Sequence, residues 1–227
     1  MSRVVFVTGT DTGCGKTVAT AALARGLADQ GQRVACFKPV AAGCRATPTG
    51  LRNDDALILH QAGSVEMRYE QVNPYPLEPA IAPHIAAARA GIAIDLDAIA
   101  RGIDAVAADC KLVEGAGGWL VPLDDAHGFP DLARAIGAEI VLVVGLRLGC
   151  INHARLTARA IAADGFRLMG WIANFIDPEM AEMEANLAAL EKYLPAPLLG
   201  RIPHGNAPRR PPEIRAFRGL PPLPAGN

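Results

Sequence analysis

The sequence predicts an α/β fold with three layers, in which a mainly parallel sheet is flanked by helices. Short apolar runs alternate along the chain with longer segments of helical spacing, as expected of βαβ units. Several of these runs are apolar throughout instead of alternating with polar residues, so both faces of their strands are expected to be covered. In such a sheet the strands end at one edge, and ligands bind there. Functional residues are therefore expected just after each strand.

The sequence pattern predicts six strands and six helices. Strands are expected at 3–8, 33–38, 111–114, 139–145, 168–174 and 197–202. Helices are expected at 16–30, 53–62, 95–108, 130–137, 151–164 and 180–193. The segment 73–84 contains four prolines and is expected to be an ordered but irregular loop, over the site or at an interface. We expect 1–227 to form one domain, with a proline-rich and extended or frayed tail from about 205 to 227.

Composition and charge restrict the classes of function. The chain has 227 residues, 51% of them hydrophobic and 20% charged, as in a globular protein. Its net charge is −1, so nucleic acid is not an expected partner. The five cysteines form no C-x-x-C pair, which favours reduced thiols over a disulfide framework or a zinc site. With no signal-peptide pattern and no long apolar run, we expect a cytoplasmic protein without a membrane partner.

The stretch GTDTGCGKT, residues 9–17, predicts a phosphate-binding loop (P-loop) between the first strand and the first helix. The common pattern is G-x-x-x-x-G-K-[ST], but here five residues separate Gly9 from the G-K-T end. The extra residue is expected to widen the first half of the loop and to turn Asp11 and Thr12 towards the cleft. Lys16 is expected to reach the terminal phosphates of a nucleotide and Thr17 to bind Mg²⁺. The alternative is a glycine-rich turn with a chance G-K-T.

Three polar residues follow or flank the next strands. Lys38 follows a strand directly, so it is expected either to stabilise phosphoryl charge or an anionic intermediate in the cleft, or to be a solvated surface lysine. Asp55 begins a helix and could bind Mg²⁺, although Asp54 and Asp55 after Asn53 also suit a capped first turn. Glu114 ends a strand before G-A-G-G, where it could hold a metal or simply enter a turn. Together Thr17, Asp55 and Glu114 form a plausible oxygen-only magnesium set.

The segment 147–153, RLGCINH, follows another strand and opens a helix. The free amides at the start of this helix would suit a carboxylate. Cys150 could be a nucleophile, but without an identified base it is better interpreted as a packed thiol. His153 is interpreted as a residue of the first helical turn.

Seven motifs in chain order closely resemble those of the dethiobiotin synthetase family. They are G-T-D-T-x-x-G-K-T at 9–17, K-P-V-A at 38–41, G-L-R-N-x-D at 50–55, V-N-P-Y at 72–75, V-E-G-A-G-G at 113–118, L-G-C-I-N-H at 148–153 and P-A-P-L-L-G-x-I-P at 195–203. The resemblance spans residue 4 to about 205, and the five-residue gap in the P-loop belongs to it. It implies a P-loop NTPase-like fold and an ATP-dependent cyclo-ligase. Such an enzyme converts 7,8-diaminononanoate and CO2, or bicarbonate, to dethiobiotin through a carbamate and a carbamic–phosphoric anhydride, releasing ADP and phosphate.

The resemblance also implies roles for particular residues. Lys38, Lys16 and Thr12 would be catalytic, and Thr17, Asp55 and Glu114 would bind Mg²⁺. Contacts with ATP are expected from Gly13, Cys14, Gly15, Lys16, Thr17, Val18, Asp55, Glu114, Gly115, Ala116, Gly117, Asn174, Pro203 and His204. Contacts with the diamine are expected from Thr12, Lys38, Ala42, Gly149, Cys150, Ile151 and Asn152. The last four residues would bind the substrate's carboxylate tail across a homodimer interface.

Two sites differ from the family's usual pattern, and three other functions are considered. Members of the family often carry Glu-Val where Gly13 and Cys14 stand, and a serine where Ala42 stands. A ParA/MinD-type switch ATPase is the main alternative, but it usually has a second lysine early in the loop, and here none precedes Lys16. A cobyrinic-acid-type amidase would need an added glutaminase domain, for which 227 residues leave no room. A non-catalytic nucleotide-binding module is the third rival.

Overall fold

The computed structural model describes residues 2–205 and 220. Its central sheet contains six parallel strands: β1 (Arg3–Gly9), β2 (Val34–Phe37), β7 (Cys110–Glu114), β8 (Glu139–Leu146), β9 (Leu168–Phe175) and β10 (Leu198–Ile202). Their order in the sheet is β10-β9-β8-β1-β7-β2. All six were predicted from apolar runs, and the burial of nearly every residue in them explains why the runs do not alternate.

In the described part of the chain, eight helices accompany the sheet: α1 (Lys16–Ala28), α2 (Asp54–Ala62), α3 (Tyr69–Val72), α4 (Pro83–Ala90), α5 (Leu96–Asp104), α6 (Phe129–Ala135), α7 (Cys150–Ala163) and α8 (Met183–Tyr193). One hydrophobic cluster joins α1 and α2 to one face of the sheet through residues such as Leu23, Leu27 and Leu59. A larger cluster joins α4–α8 to the other face through residues such as Phe129 and Ile161. The predicted three-layer α/β fold is thereby confirmed.

Among the described residues, two small sheets lie at the edge where the strands of the central sheet end. The strand β3 (Val40–Ala42) pairs in parallel with β6 (Tyr75–Leu77). The strands β4 (Arg45–Thr47) and β5 (Gly50–Arg52) form an antiparallel hairpin just before α2. Short segments of three residues leave little periodic pattern in a sequence, which is why these elements were missed.

The prediction that 73–84 is irregular throughout was wrong. The strand β6 runs through Pro76, which is tolerated because β6 belongs to a two-stranded sheet and pairs on one side only. The helix α4 begins at Pro83, at the first helical position, where a missing amide hydrogen costs nothing. The intervening residues do form an ordered loop, as expected.

Several predicted helix boundaries were also too wide. Helix α1 ends at Ala28 instead of 30, because the amides of Gln30 and Gly31 close a tight turn. Helix α5 ends at Asp104 instead of 108, and α8 begins at Met183 instead of 180. Most of the predicted proline-rich tail lies outside the described residues. No helix in the described part of the chain is long and apolar enough to cross a membrane.

Candidate nucleotide and catalytic site

The predicted phosphate loop connects β1 to α1 at the carboxyl edge of the sheet. Gly15 caps the start of α1 with a left-handed backbone, φ +85°. The Asn174 side chain lies against it and donates a hydrogen bond of 2.9 Å to the Cys14 carbonyl. A Cβ atom on Gly15 would overlap the Asn174 amide nitrogen. The loop therefore needs glycine here both for its backbone angle and for space.

Lys16 and Thr17 form the first turn of α1, where unpaired amides favour a phosphate. Lys16 Nζ donates to the Asp11 carbonyl at 3.0 Å, across the widened half of the loop. Thr17 Oγ1 donates to Glu114 Oε1 at 2.8 Å. The second contact joins the loop to the end of β7, so the G-K-T end and the predicted acidic strand tip form one site.

Lys38 is buried, with 4% of its surface exposed, so its interpretation as a solvated surface lysine was wrong. Its Nζ lies 2.6 Å from Glu114 Oε1 and 2.9 Å from Asp55 Oδ2. Burial alone would lower the pKa of Lys38, but the two carboxylates outweigh it and hold that pKa above its ordinary value. The site thus contains an ammonium group that stays charged at neutral pH.

The backbone around Lys38 is fixed by contacts that the sequence did not reveal. The Asn73 side chain donates to the Lys38 carbonyl at 2.7 Å, and the Lys38 amide donates to the Val72 carbonyl at 2.9 Å. The Tyr69 hydroxyl donates to Asn73 Oδ1 at 3.1 Å and accepts from the Asn53 amide at 2.8 Å. This buried network positions Lys38 and the start of α2 relative to each other. The V-N-P-Y motif was its only signal in the sequence.

The start of α2 is capped by a side chain and also presents a carboxylate to the cleft. The Asn53 side chain caps the helix by accepting from the Ala56 amide at 3.1 Å. Asp54 points outward and pairs with Arg45 of the hairpin. Asp55 points into the cleft; burial raises its pKa, but Lys38 and the Thr17 hydroxyl more than offset this and hold it below its ordinary value. Asp55 is therefore ionised beside Lys38.

The oxygen atoms of Thr17, Asp55 and Glu114 converge on one region, as the sequence predicted. One Glu114 oxygen contacts Thr17 and Lys38, while the buried Oε2 has no hydrogen-bond partner among the described residues. An unpartnered carboxylate oxygen beside a hydroxyl and a second carboxylate is a donor set that suits Mg²⁺. Within the described residues, no group of three or more His, Cys, Asp or Glu side chains could hold a metal. A magnesium ion here would thus share its coordination with phosphate oxygens or water.

A cavity of about 670 Å³ opens over these residues. Its polar side is formed by the phosphate loop, Lys38 and the two acids. The predicted residues that line it are Thr12, Gly13, Gly15, Lys16, Thr17, Val18, Lys38, Ala42, Asp55, Glu114, Ala116 and Gly117. The volume is within the usual range for small-molecule sites. The structure therefore brings together most of the predicted nucleotide residues and the predicted catalytic residues in one cavity.

The other side of the cavity is apolar and was not predicted residue by residue. It consists of Ala80, Ile81, Ala82 and Pro83 from the loop before α4, together with Val121. The prolines around 73–84 were the only hint, because they predicted an ordered loop over the site. This wall can exclude water from one side of the bound ligand.

Several predicted residues lie at the margins of this cavity or away from it. Cys14 is buried behind the loop, and its carbonyl is occupied by Asn174. Gly115 packs against Phe6, with its amide donating to the Val7 carbonyl. Pro203 and His204 follow β10, and His204 Nδ1 lies 3.3 Å from the Phe175 carbonyl. Among described residues, these positions do not belong to the cavity lining, and their predicted contacts with ATP remain predictions.

The predicted carboxylate segment lies in a second cavity of about 430 Å³, between α7 and α8. Gly149, Ile151 and Asn152 line it together with Leu148, Arg155, Leu156, Arg159 and Asn186. The Cys150 side chain is instead buried in the core, which agrees with a packed thiol, and its amide donates to the Arg147 carbonyl. The described residues of a single chain do not join the two cavities. The predicted contact of this segment with the diamine therefore remains a prediction.

Asp11 does not face the cleft as expected. Its carboxylate turns away towards Arg147, whose Nη2 donates to Asp11 Oδ2 at 2.6 Å. Thr12, the next residue, does line the cavity. Asp11 and Arg147 are 136 positions apart, and no sequence pattern indicated that they would meet.

Comparison with solved structures supports the fold. The chain superposes on MinD in the MinC:MinD cell division complex of Aquifex aeolicus with a TM-score of 0.58 and 20% identity, covering 90% of this chain and 82% of that one. It superposes on chloroplast FtsY from Physcomitrella patens with a TM-score of 0.55 and 17% identity, covering 91% of this chain but 60% of that one. Likeness at this level of identity extends to the P-loop NTPase-like fold alone.

Sequence comparisons show the family. A family model described as an AAA domain matches residues 3–210. The chain is 52% identical over 225 residues to the ATP-dependent dethiobiotin synthetase BioD of Pseudomonas paraeruginosa, covering 97% of this chain and 98% of that one. It is 49% identical over 201 residues to the protein of the same name from Xylella fastidiosa, covering 88% and 89%. The chain therefore belongs to the ATP-dependent dethiobiotin synthetase family.

Proposed function

We propose that this protein is an ATP-dependent cyclo-ligase that makes dethiobiotin from 7,8-diaminononanoate and CO2. The names of relatives that are about half identical over nearly the whole chain support the overall reaction. The single observation that supports the chemistry best is the placement of Lys38. Its ammonium lies between Glu114 and Asp55 and lines the same cavity as the phosphate loop.

The nucleotide would bind with its phosphates over the start of α1. Free amides there and the Lys16 ammonium attract the polyphosphate, and Lys16 would exchange the Asp11 carbonyl for a phosphate oxygen. Mg²⁺ would be held by Thr17, Asp55 and Glu114 and would neutralise charge on the phosphates. The unpartnered oxygen of Glu114 supports this assignment.

The diamine would first react with CO2. One amine nitrogen attacks the carbon of CO2 and releases a proton, giving a carbamate anion. The Lys38 ammonium would stabilise this anion, because it is buried and stays charged. The apolar wall of Ile81, Ala82 and Pro83 would shield the carbamate from water on the opposite side.

Phosphoryl transfer would follow in the same cavity. A carbamate oxygen attacks the γ-phosphorus of ATP, the bond between that phosphorus and the bridging oxygen of ADP breaks, and a carbamic–phosphoric anhydride forms. Negative charge spreads over the transferring group during this step. Lys16 and Lys38 both line this cavity and would both stabilise that charge.

Ring closure would complete the reaction. The second amine attacks the carbonyl carbon of the anhydride, the bond from that carbon to the phosphate oxygen breaks, and the amine loses its proton. Phosphate leaves with the oxygen that came from CO2. The products are dethiobiotin, ADP and phosphate. In this scheme Thr12 would contact the diamine, since it lines the cavity beside Gly117.

The active unit would be a homodimer. Gly149, Ile151 and Asn152 open a separate cavity at the start of α7, where unpaired amides favour a carboxylate. Leu148 beside them is 89% exposed, and Leu156 is 55% exposed. Exposed apolar residues around a polar pocket are typical of an interface. A second copy would thus bring this segment to the carboxylate tail of a diamine bound in its neighbour.

A ParA/MinD-type switch ATPase is the alternative that shares this fold. The two functions differ in their response to the diamine, because a switch ATPase would hydrolyse ATP without regard to it. Phosphate release should be measured from Mg-ATP with and without diamine and bicarbonate. The proposed function requires release that depends on both. Equal release without the diamine would instead support the switch ATPase.

A further inference from the structure

Three atoms of Asp11 have different partners in the widened half of the phosphate loop. Its Oδ1 accepts from the Thr12 amide at 2.7 Å. Its carbonyl oxygen accepts from Lys16 Nζ at 3.0 Å. Its Oδ2 accepts from Arg147 Nη2 at 2.6 Å. Asp11 therefore contacts Thr12 and Lys16, the two loop residues with predicted catalytic roles, as well as one residue from outside the loop.

Arg147, the partner of Asp11 in this contact, has its own backbone held at the end of β8 and the start of α7. It follows directly after β8, and its carbonyl accepts from the Cys150 amide at 3.0 Å in the turn that opens α7. The same strand holds the loop at a second point, where the Thr10 amide donates to the Val143 carbonyl at 3.1 Å. The first half of the loop is thus attached to β8 by one backbone bond and to the residue after β8 by one ion pair.

The ion pair also contributes to the charge that the loop carries. The Thr12 amide, above all, and the Arg147 guanidinium together outweigh the effect of burial and hold the pKa of Asp11 below its ordinary value. An ionised carboxylate in a polyphosphate-binding loop would repel the nucleotide if it had no counter-charge. Arg147 provides that charge from outside the cavity lining.

We propose that Arg147 is a positioning residue for ATP: by holding and neutralising Asp11, it keeps Thr12 in place for the diamine and holds Lys16 at the loop, ready for the nucleotide that then replaces the Asp11 carbonyl. The part of this inference that concerns the diamine rests on the proposed function, whereas the part that concerns ATP does not. Arg147 lies outside the lining of the 670 Å³ cavity, so it acts through Asp11 and not by contact with phosphate.

A double-mutant cycle tests this inference. Arg147→Met removes the guanidinium, and Asp11→Asn removes the charge while leaving an oxygen to accept from the Thr12 amide. Both side chains of the pair are about half exposed, so each single change should weaken binding of a non-hydrolysable ATP analogue by about three- to fivefold. The double variant should bind no more weakly than either single variant, and Arg147→Lys should recover affinity to within about twofold.

Arg134→Met is the matched control. Arg134 forms a comparably exposed ion pair with Asp131 on α6 and lines neither of the two cavities described above. Its loss should leave affinity for the analogue unchanged. Thermal unfolding of each variant distinguishes a loss of affinity from a loss of fold, and all variants should melt within a few degrees of the original protein.

Three results would overturn the proposal. They are unchanged affinity in Arg147→Met, additive losses in the double variant, and equal losses in Arg134→Met. A steady-state assay of dethiobiotin formation by the original protein tests the proposed function separately. If it makes no dethiobiotin, that function fails, while the binding cycle still decides the role of Arg147. If it does make dethiobiotin and the cycle is additive, only the role of Arg147 fails.

Discussion

The ammonium of Lys38 lies 2.6 Å from a carboxylate oxygen of Glu114, and the Glu114 side chain is completely buried. Two opposite charges removed from water in this way depend strongly on each other, because either one alone would be an uncompensated buried charge. Asp55, at 2.9 Å from the same ammonium, is the more exposed partner. The pair therefore links the stability of the fold to the geometry of the site.

Loss of Lys38 should destabilise the protein unless Glu114 is neutralised as well. We expect Lys38→Met to lower the free energy of unfolding by about 3–5 kcal/mol, since Glu114 would lose its buried partner. Lys38→Met/Glu114→Gln should recover most of that loss. Urea unfolding measures the free energy of unfolding of the original protein and of both variants. A double variant less stable than Lys38→Met would contradict the mutual dependence of the two charges.

Lys38 should matter for catalysis more than for binding of the nucleotide. Lys38→Ala is expected to abolish detectable ring closure while keeping much of the affinity for ATP, because Lys16 and the loop amides still bind the phosphates. Calorimetry with a non-hydrolysable ATP analogue measures affinity, and product analysis measures dethiobiotin. Equal losses of both would show that Lys38 is mainly a nucleotide ligand.

Gly15 and Gly13 offer a matched pair of substitutions in the loop. Both have positive φ, +85° and +75°, so an alanine at either position strains the backbone by roughly 1–2 kcal/mol. Only at Gly15 would the new Cβ overlap Asn174, whereas Gly13 has open space. Gly15→Ala should therefore lose nucleotide binding, and Gly13→Ala should keep most of it. Similar affinities in the two variants would contradict the close packing of Asn174 on the loop.

Much of this site could be predicted because its key residues follow strands. Parallel strands end at the same edge, so Lys38 after β2 and Glu114 at the end of β7 were expected to meet the loop after β1. The network of Asn73, Tyr69 and Asn53 was missed, because side-chain bonds between distant segments leave no periodic pattern. The Asp11–Arg147 pair was missed for the same reason.

In the fold, too, elements with a clear local signal were predicted, and elements that depend on distant neighbours were missed. All six central strands were predicted from their apolar runs, which reflect burial on both faces. The strand β6 and the helix α4 were missed, because the prolines of 73–84 outweighed the other local signals. Proline at position 83 in fact begins the helix, and Pro76 lies in a strand that pairs on one side only. These outcomes depend on neighbours that a local pattern does not include.

Substitution of Asn152 should affect the KM for the diamine more than the KM for ATP. It lines the second cavity at the start of α7, away from the phosphate loop of its own chain. Asn152→Ala is expected to raise the KM for the diamine by about tenfold or more and to leave the KM for ATP within about twofold, since one hydrogen bond to a charged carboxylate is worth about 1.5–3 kcal/mol. An unchanged diamine KM would remove the segment 149–152 from the substrate site.

The Lys38–Asp55 pair predicts a pH window of stability. The pKa of Asp55 is lowered from 3.8, so the stabilisation is present above that value and is lost as pH falls through the lower folded pKa. The pKa of Lys38 is raised from 10.5, so the stabilisation is present below that value and is lost as pH rises through the higher folded pKa. The stability difference between the original protein and Asp55→Asn should thus be constant between about pH 5 and 9 and shrink outside that range.

The neighbouring Asp54 provides the control for this experiment. Asp54→Asn removes a carboxylate from the same helical turn, but one that pairs with exposed Arg45. It should change stability by less than about 0.5 kcal/mol at neutral pH. If Asp54→Asn and Asp55→Asn gave the same difference at every pH, the Lys38–Asp55 pair would not be its cause.

In the proposed reaction, one cavity joins phosphoryl transfer to closure of the ureido ring. This is tested by incubating the protein with Mg-ATP, the diamine and CO2 labelled with ¹³C and ¹⁸O, followed by mass spectrometry of both products. We expect dethiobiotin with ¹³C in its ring carbonyl, equimolar phosphate, and one ¹⁸O atom in that phosphate, since the carbamate oxygen leaves with it. Phosphate released without dethiobiotin, or phosphate without the labelled oxygen, would rule out this reaction.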